Sequence, residues 1–186
     1  MTPRHGSDPA TRTWHHRETS DRGQAPPTGR DTTAYALRLW LAARRDDATV
    51  GSHPYALRKG IRWAAGAGRG FASGELVGED ADCVIVPIRE DATGKVQGVQ
   101  CINPDGAKET FGKITGGCLV LGNTLDQHIP WYVTEGWVSA VSVVFHHSRG
   151  NAACAVAFCQ SNLVPTAEML SRQFGPDEII VLEGSA

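Results

Sequence analysis

The spacing of apolar and polar residues divides the chain into stretches with different periods. Residues 1–31 are polar and rich in Pro, Gly, Ser, Thr and Arg, with no repeat at 2 or 3.6 residues, so we predict a disordered tail there. In "TTAYALRLWLAARRDD", apolar residues recur at helical spacing, as Ala34, Leu37, Trp40 and Leu41. This pattern predicts a short amphipathic helix. The following "HPYALRKG" predicts one helical turn, and the glycine-rich "AAGAGRGFASGEL" predicts a flexible connection.

From residue 81 the period changes to that of β-strands. "DCVIVPIRE" and "GKVQGVQCINPDG" predict two strands joined by a hairpin turn at "DATGK", and "GGCLVLG" predicts a third strand. Residues 81–122 are therefore interpreted as an antiparallel meander. We assign residues 32–126 to one subdomain, an N-terminal helix plus this antiparallel β region.

From residue 129 strand and helix patterns alternate. "IPWYVTE", "ACAVAFCQ" and "DEIIVLEG" predict strands, and "GWVSAVSVVFHH" and "VPTAEMLSRQFG" predict helices, the second ending at Gly175. The order β-α-β-α-β implies a parallel three-stranded sheet with right-handed crossovers over residues 127–186. The predicted fold class is therefore α+β or α/β: an antiparallel meander followed by a β-α-β-α-β unit with a parallel sheet.

Composition narrows the class of protein only a little. The chain has 18 basic and 20 acidic residues and a net charge of −2, a balance that indicates neither a nucleic-acid nor a membrane surface but leaves room for a local patch. No apolar run approaches the roughly 20 residues of a membrane span, and the N-terminus has no apolar signal segment. We expect a cytoplasmic protein that does not engage a membrane.

The five cysteines predict buried thiols rather than a framework of disulfides. Their number is odd, and four of them stand among apolar neighbours in "DCVIVPI", "GCLVLG" and "CAVAFC". A zinc site is the alternative, because Cys154 and Cys159 are separated by four residues. In a strand, however, that offset would point the two thiols to opposite faces.

A single carboxylate, Glu135, stands where the predicted strand "IPWYVTE" meets the helix that begins near Gly136. Ligands of open α/β sheets bind beyond the carboxyl ends of the strands. An acid there can hold a divalent metal or act as acid or base, and Gly136 would let the chain turn tightly. With equal weight, Glu135 caps the helix that follows it.

The segments "YVTEGWVSAVSVV" and "ACAVAFCQSNLVPTAEMLSRQFGPDEIIVL" resemble the Toprim domain of topoisomerases and primases, in the version found in plasmid and phage primases or primase-helicases. Upstream, "ALRLWLAAR", "HPYALRKGI", "VIVPIRE", "GKVQGVQCINPDGAKETFGK" and "GGCLVLG" resemble, in order, the segment that precedes Toprim in those proteins. The resemblance covers roughly residues 34–182, so residues 127–186 are identified as a partial Toprim-like domain.

The resemblance implies a protein of DNA replication that synthesises RNA primers by metal-dependent nucleotidyl transfer. It implies that Glu135 is the catalytic acid/base and a ligand of Mg²⁺ or Mn²⁺. Arg58, Lys59 and Lys113 fall in family-like stretches and are candidate nucleic-acid contacts. The implied partners are single-stranded DNA and a helicase or other replication protein, and Trp63, Trp131 and Trp137 could offer stacking faces if they are not part of the core.

The chain departs from this family where the family binds its metal. An Asp-x-Asp is expected at the positions of Gly184 and Ala186. Glu183 is one position early, and because successive strand residues point to opposite faces, it could replace them as a metal ligand only if the strand end is irregular. We therefore expect little or no primase activity from this chain alone. Three explanations remain open: a C-terminally truncated primase, a non-catalytic nucleic-acid or replisome-binding relative, and a likeness of fold only. A last strand without the family's next strand is also expected to leave a sheet edge for self-association or a partner.

Overall fold

The computed structural model describes residues 31–183. The predicted tail at 1–31 lies outside the described residues except for Asp31, so its disorder stays a prediction. Within the described range the chain is a mixed α+β protein built on one sheet of eight strands, most of them antiparallel. The predicted fold class is confirmed.

Three short helices precede the sheet. Helix α1 (Thr33–Ala42) was predicted and buries Ala36, Leu39 and Trp40. Helix α2 (Asp47–Gly51) was not predicted, because its five residues are too few to show a helical period. Its Asp46 cap accepts a hydrogen bond of 2.9 Å from the Thr49 N–H. Helix α3 (Pro54–Arg58) is the predicted single turn before Gly60, with Pro54 at its first position.

Four strands form the first half of the sheet: β1 (Gly68–Gly74), β2 (Gly78–Glu90), β3 (Val96–Ile102) and β4 (Lys108–Gly112). The prediction of a flexible connection is wrong over β1, which pairs antiparallel with β2. Gly68 allows this strand to lie against the end of α1, because a Cβ on Gly68 would lie 2.8 Å from the Cβ of Ala43. The glycines of β1 therefore serve close packing rather than flexibility.

Strand β5 (Gly117–Gly122) joins the two halves of the sheet. Its first residues pair with β2, at Arg89↔Cys118 and Glu90↔Gly117, and the rest of the strand pairs with β7. The order of strands is β4-β3-β2-β5-β7-β6-β8, with β1 beside β2. One continuous sheet thus spans residues that we assigned to two subdomains, and that division stays a prediction.

The second half alternates strands and helices as predicted. Its elements are β6 (Trp131–Thr134), α4 (Trp137–Val141), a π-helix (Ser142–His147), β7 (Ala153–Val156), a 3₁₀ turn (Gln160–Asn162), α5 (Leu163–Phe174) and β8 (Ile179–Val181). Both β7 and β8 pair with β6 in parallel. The predicted three-stranded parallel sheet is confirmed, and β8 ends the order of strands among residues 31–183.

Helices cover both faces of the sheet. On one face α1 packs over the antiparallel half and α5 over the parallel half, in two apolar clusters around Cys101 and Val133. On the other face α3, α4 and the π-helix share one larger cluster with β2 and β5. The segment predicted as a single α-helix after Glu135 is α-helical only to Val141 and then continues as the π-helix. Among residues 31–183 no helix is long and apolar enough to cross a membrane.

Candidate functional site

Glu135 lies at the carboxyl end of the central parallel strand, as the sequence predicted. It follows β6 directly and is half-buried. Its carbonyl oxygen accepts a hydrogen bond of 3.0 Å from the Phe158 N–H, and the carbonyl of Thr134 accepts one of 2.7 Å from the Ala157 N–H. Pairing between β6 and β7 therefore continues past both strands, and Glu135 has a defined backbone position.

Phe158 is a part of this site that sequence reasoning missed. Its φ is +69°, in the left-handed region that bulky residues rarely adopt. Its side chain is only 5% exposed and packs in the apolar cluster beneath α4. No pattern in the sequence marks a phenylalanine for this conformation, because the cause is packing against residues distant in the chain.

The structural role that we predicted for Gly136 is wrong. Gly136 has φ −109° and ψ 145°, an extended conformation that any residue adopts. It is the N-cap of α4, whose first residue is Trp137. Glu135 therefore stands one position before the cap residue. The buried hydroxyl of Thr134 donates a hydrogen bond of 3.0 Å to the Gly136 carbonyl and stabilises this junction.

Glu183 aligns with Glu135 through the register of the parallel strands. The ladder pairs Val133 with Val181, and the Leu182 N–H donates a hydrogen bond of 2.8 Å to the Val133 carbonyl. Continuing this register by two residues sets Glu183 opposite Glu135 at the same end of the sheet. Neighbouring strands are about 4.8 Å apart, so the two backbones are close enough for both carboxylates to share one cation.

Carboxylates such as those of Glu135 and Glu183 are the kind of ligand that Mg²⁺ prefers. Mg²⁺ is commonly held by one or two carboxylates and completes its shell with water and substrate phosphates. Among residues 31–183 no group of three or more His, Cys, Asp or Glu side chains is arranged to hold a metal ion. Gly184 and Ala186, where the resemblance places the Asp-x-Asp, lie outside the described residues.

Lys113 lies at the same end of the sheet as Glu135. It is exposed, and Gln97 holds its backbone, donating from Nε2 to the Lys113 carbonyl at 3.1 Å. Lys113 precedes β5, whose first residue, Gly117, accepts a hydrogen bond of 2.9 Å from Asn162 Nδ2. Because β5 runs antiparallel to β7, the start of β5 adjoins the carboxyl ends of β7 and β6.

Arg58 and Lys59 lie elsewhere. They end α3, and both cations stand over the ring of Tyr55, at 6.0 Å and 5.8 Å from its centroid. Arg58 also donates a hydrogen bond to the Pro104 carbonyl. Gly60 follows them and faces His146, near the end of the π-helix. The helical segment that starts after Glu135 therefore separates Arg58 and Lys59 from Glu135.

The three tryptophans proposed as stacking faces differ in exposure. Trp131 and Trp137 are completely buried. The Trp131 indole N–H donates to the Asp126 carbonyl, and the Trp137 indole N–H donates to the Ala65 carbonyl. Both are core residues. Trp63 is only half-buried and is the one of the three that a ligand can reach.

The cysteines match the prediction of buried thiols, with one exception. Cys83, Cys101, Cys118 and Cys154 are buried, and burial raises the pKa of Cys83 and of Cys118 to about 12. Cys159 is partly exposed and lies 3.4 Å from the hydroxyl of Ser161.

Comparison with known proteins identifies no family. No protein-family model matches the sequence, and no curated protein matches it. Among solved structures, the chain is similar to the crystal structure of the primase fragment of the bacteriophage T7 primase-helicase protein, with a TM-score of 0.43 and 16% sequence identity. The match covers 63% of this chain and 46% of that fragment. The chain thus spans less than half of the fragment, and a likeness of this size carries no weight for function.

Proposed function

We propose that this protein is a primase-like protein of DNA replication, in which Glu135 is the central carboxylate of a divalent-metal site for nucleotidyl transfer. The alignment of Glu135 with Glu183 at the carboxyl ends of β6 and β8 is the observation that supports it. The sequence resemblance to Toprim proteins is the basis for proposing nucleotidyl transfer as the reaction. The register of β6 and β8 supports Glu183 as the second acid of the site.

In this proposal Glu135 and Glu183 hold Mg²⁺ or Mn²⁺, which would offset phosphate charge and activate an attacking oxygen. Glu135 would also take or give the proton in the transfer step. Lys113, at the same end of the sheet, would contact a phosphate. Fewer carboxylates serve this site than in the family it resembles, so we expect weak activity, with other ligand oxygens supplied by water and nucleotide.

A second candidate function is non-catalytic binding of nucleic acid or of a replication protein such as a helicase. The separation of Arg58 and Lys59 from Glu135 favours it, because binding at those residues needs no metal. Strand β8, which ends the order of strands among residues 31–183, would offer backbone groups for pairing with a partner or a second copy of the chain. This function predicts single-stranded DNA binding that survives loss of the glutamate.

A titration of ¹⁵N-labelled protein with Mg²⁺ and then Mn²⁺, followed by NMR, tests the first function. Saturable shifts of the amides of Glu135, Phe158 and Glu183 are expected, and Glu135→Gln should abolish them. Glu168→Gln, on the exposed surface of α5, is the matched control and should respond like the wild type. No saturable response in the wild-type chain would contradict a metal site and leave the non-catalytic function.

Primer synthesis is the direct test of activity. With a single-stranded template, ribonucleotides and Mn²⁺, we expect at most weak synthesis of short primers by the wild-type protein and none by Glu135→Gln. Equal synthesis by both proteins would exclude Glu135 as the catalytic acid/base.

A further inference from the structure

Two segments without a carboxylate pack side by side on one face of the protein. Neither residues 48–74 nor residues 136–167 contain an Asp or Glu. They meet where the position of a Cβ on Gly60 lies 4.0 Å from Cε1 of His146. The ring of Trp63 lies 5.4 Å from that of Phe145 and 5.9 Å from that of His146, between centroids.

We call this region the aromatic–basic face. It consists of Arg58, Lys59, Arg62, Trp63, Phe145 and His146. Arg58, Arg62 and His146 are exposed, and the other three are half-buried. Both rings beside Trp63 are nearly perpendicular to it, at 82° and 76°, so neither is stacked on the indole.

The charge of this face differs from that of the whole chain. The chain carries a net charge of −2, yet three permanent cations stand here together. Two carboxylates near this face have other partners, and a third, Asp105, follows Pro104, whose carbonyl accepts a hydrogen bond from Arg58. Asp47 accepts a hydrogen bond of 2.9 Å from the Ala64 N–H, and Asp82 pairs with Arg69 at 2.6 Å. The face is therefore a local site of positive charge, which attracts a polyanion.

Hydrogen bonds and close packing hold the backbone of this face. The Ile61 N–H donates to the Ala56 carbonyl at 2.9 Å, and the Trp137 indole N–H donates to the Ala65 carbonyl at 2.9 Å. The backbone of Arg62 packs so closely on Gly51 that a Cβ on Gly51 would lie 2.9 Å from the Cα of Arg62. A ligand would meet side chains whose backbone is already in place, which lowers the entropic cost of binding.

We infer that the aromatic–basic face binds single-stranded nucleic acid, with Arg58, Lys59 and Arg62 on phosphates and a base stacked on Trp63. Proteins recognise single strands by placing cations along the nucleic-acid backbone and an accessible aromatic ring beside it. The bases of a single strand are free to stack on that ring. The phosphates of a duplex would contact the cations, but its paired bases could not stack on Trp63.

This site is distinct from that of Glu135. Trp137 and His146 are nine residues apart along the helical segment, which separates them by about 14 Å at about 1.5 Å per residue. The inference rests on the proposed function only in taking nucleic acid as the ligand. Binding at the aromatic–basic face involves neither a metal ion nor Glu135. Binding measured with a chelator present therefore succeeds or fails independently of the metal site.

The experiment measures fluorescence anisotropy of a labelled oligothymidylate of about 15 nucleotides, a length near the upper site size of common single-strand binders, in EDTA and over a range of salt. The variants are Trp63→Leu and Arg62→Ala. Arg172→Ala, an exposed arginine on α5, is the matched control. An abasic strand of the same length carries the same charge without bases.

Wild-type protein and Arg172→Ala should bind the oligothymidylate equally. Trp63→Leu should weaken binding about tenfold, within the range for loss of one stacked base, and leave binding of the abasic strand unchanged. Arg62→Ala should weaken both strands and reduce the slope of log affinity against log salt by about 0.7.

Three results would overturn the inference. They are no binding by the wild-type chain, equal binding of abasic and normal strands, and variants at Arg62 and Trp63 that bind like Arg172→Ala. Circular dichroism identifies a Trp63 variant that fails to fold. In that case the affinity of Arg62→Ala and the affinity of the wild-type protein for the abasic strand still test whether the face recognises single strands.

Discussion

The backbone N–H of Phe158 donates a hydrogen bond of 3.0 Å to the carbonyl of Glu135 from a residue with φ +69°. Such a conformation costs about 1–3 kcal/mol for a residue other than glycine. The surrounding contacts must offset this cost, and the buried ring of Phe158 supplies them. A strained residue next to a candidate catalytic carboxylate links the packing of the core to the geometry of the site.

The first prediction concerns that ring. Phe158→Ala should lower the free energy of unfolding by about 3–5 kcal/mol, the usual cost of truncating a buried phenylalanine. Phe158→Leu keeps most of the apolar volume and should cost less. Urea unfolding followed by circular dichroism measures both values. Equal, small losses in the two variants would show that the ring does not support this conformation.

The second prediction concerns pH and His53. The ring is fully buried, Nε2 lies 3.1 Å from the Asp82 carbonyl, and Nδ1 accepts a hydrogen bond of 3.2 Å from the Tyr55 N–H. Both contacts fit the neutral ring. Burial lowers the pKa of His53 below its usual 6.5, against the opposite effect of Asp82, while Arg69 and Arg58 lower it further.

As the pH falls through 6.5, the unfolded chain therefore binds a proton at His53 before the folded chain does, and stability falls. The midpoint of urea unfolding should be lower at pH 5.5 than at pH 7.5, and His53→Gln should reduce this difference. His128→Gln is the control. Asp177 raises the pKa of the exposed His128, so protonation of His128 favours the folded protein at low pH. Losing that histidine therefore cannot reduce the difference in the urea midpoint between pH 5.5 and pH 7.5. A His53→Gln profile as steep as the wild type would contradict the assignment.

The third prediction concerns Asn162, which joins two strands next to the candidate site. Its buried Nδ2 donates to the carbonyls of Gly117, at 2.9 Å, and Ala157, at 3.0 Å. Asn162→Ala leaves two carbonyls without this donor and should cost about 1–3 kcal/mol. Asn162→Asp should cost more at pH 7, because a carboxylate would then face two carbonyl oxygens. Urea unfolding of both variants checks the order.

The fourth prediction concerns thiol reactivity. The thiolate is the reactive form, and four cysteines are buried, with a raised pKa in each case. Ellman's reagent should modify one thiol, Cys159, in the native protein and all five after unfolding in urea. Cys159→Ser should leave the native protein unreactive. More than one fast thiol in the folded wild-type chain would contradict the buried positions.

Local pattern predicted most of the elements. The alternation in "GKVQGVQCI" and the continuous apolar run in "ACAVAFCQ" correspond to β3 and β7. The prediction was wrong over β1, because glycines that suggest flexibility in isolation instead allow α1 to approach the strand. It also missed the π-helix, since a change in helical hydrogen bonding leaves the apolar stripe almost unaltered.

The sequence by itself determined most of the strands and helices, though not β1 or α2, and the place of Glu135 at a strand end. Both depend on periodicity between near neighbours. Only the tertiary structure decided that the register of β8 sets Glu183 opposite Glu135. It alone also decided that Gly60, which follows Lys59, faces His146. Strand register and helix packing join residues far apart in the chain, and the fit of the whole core selects those contacts.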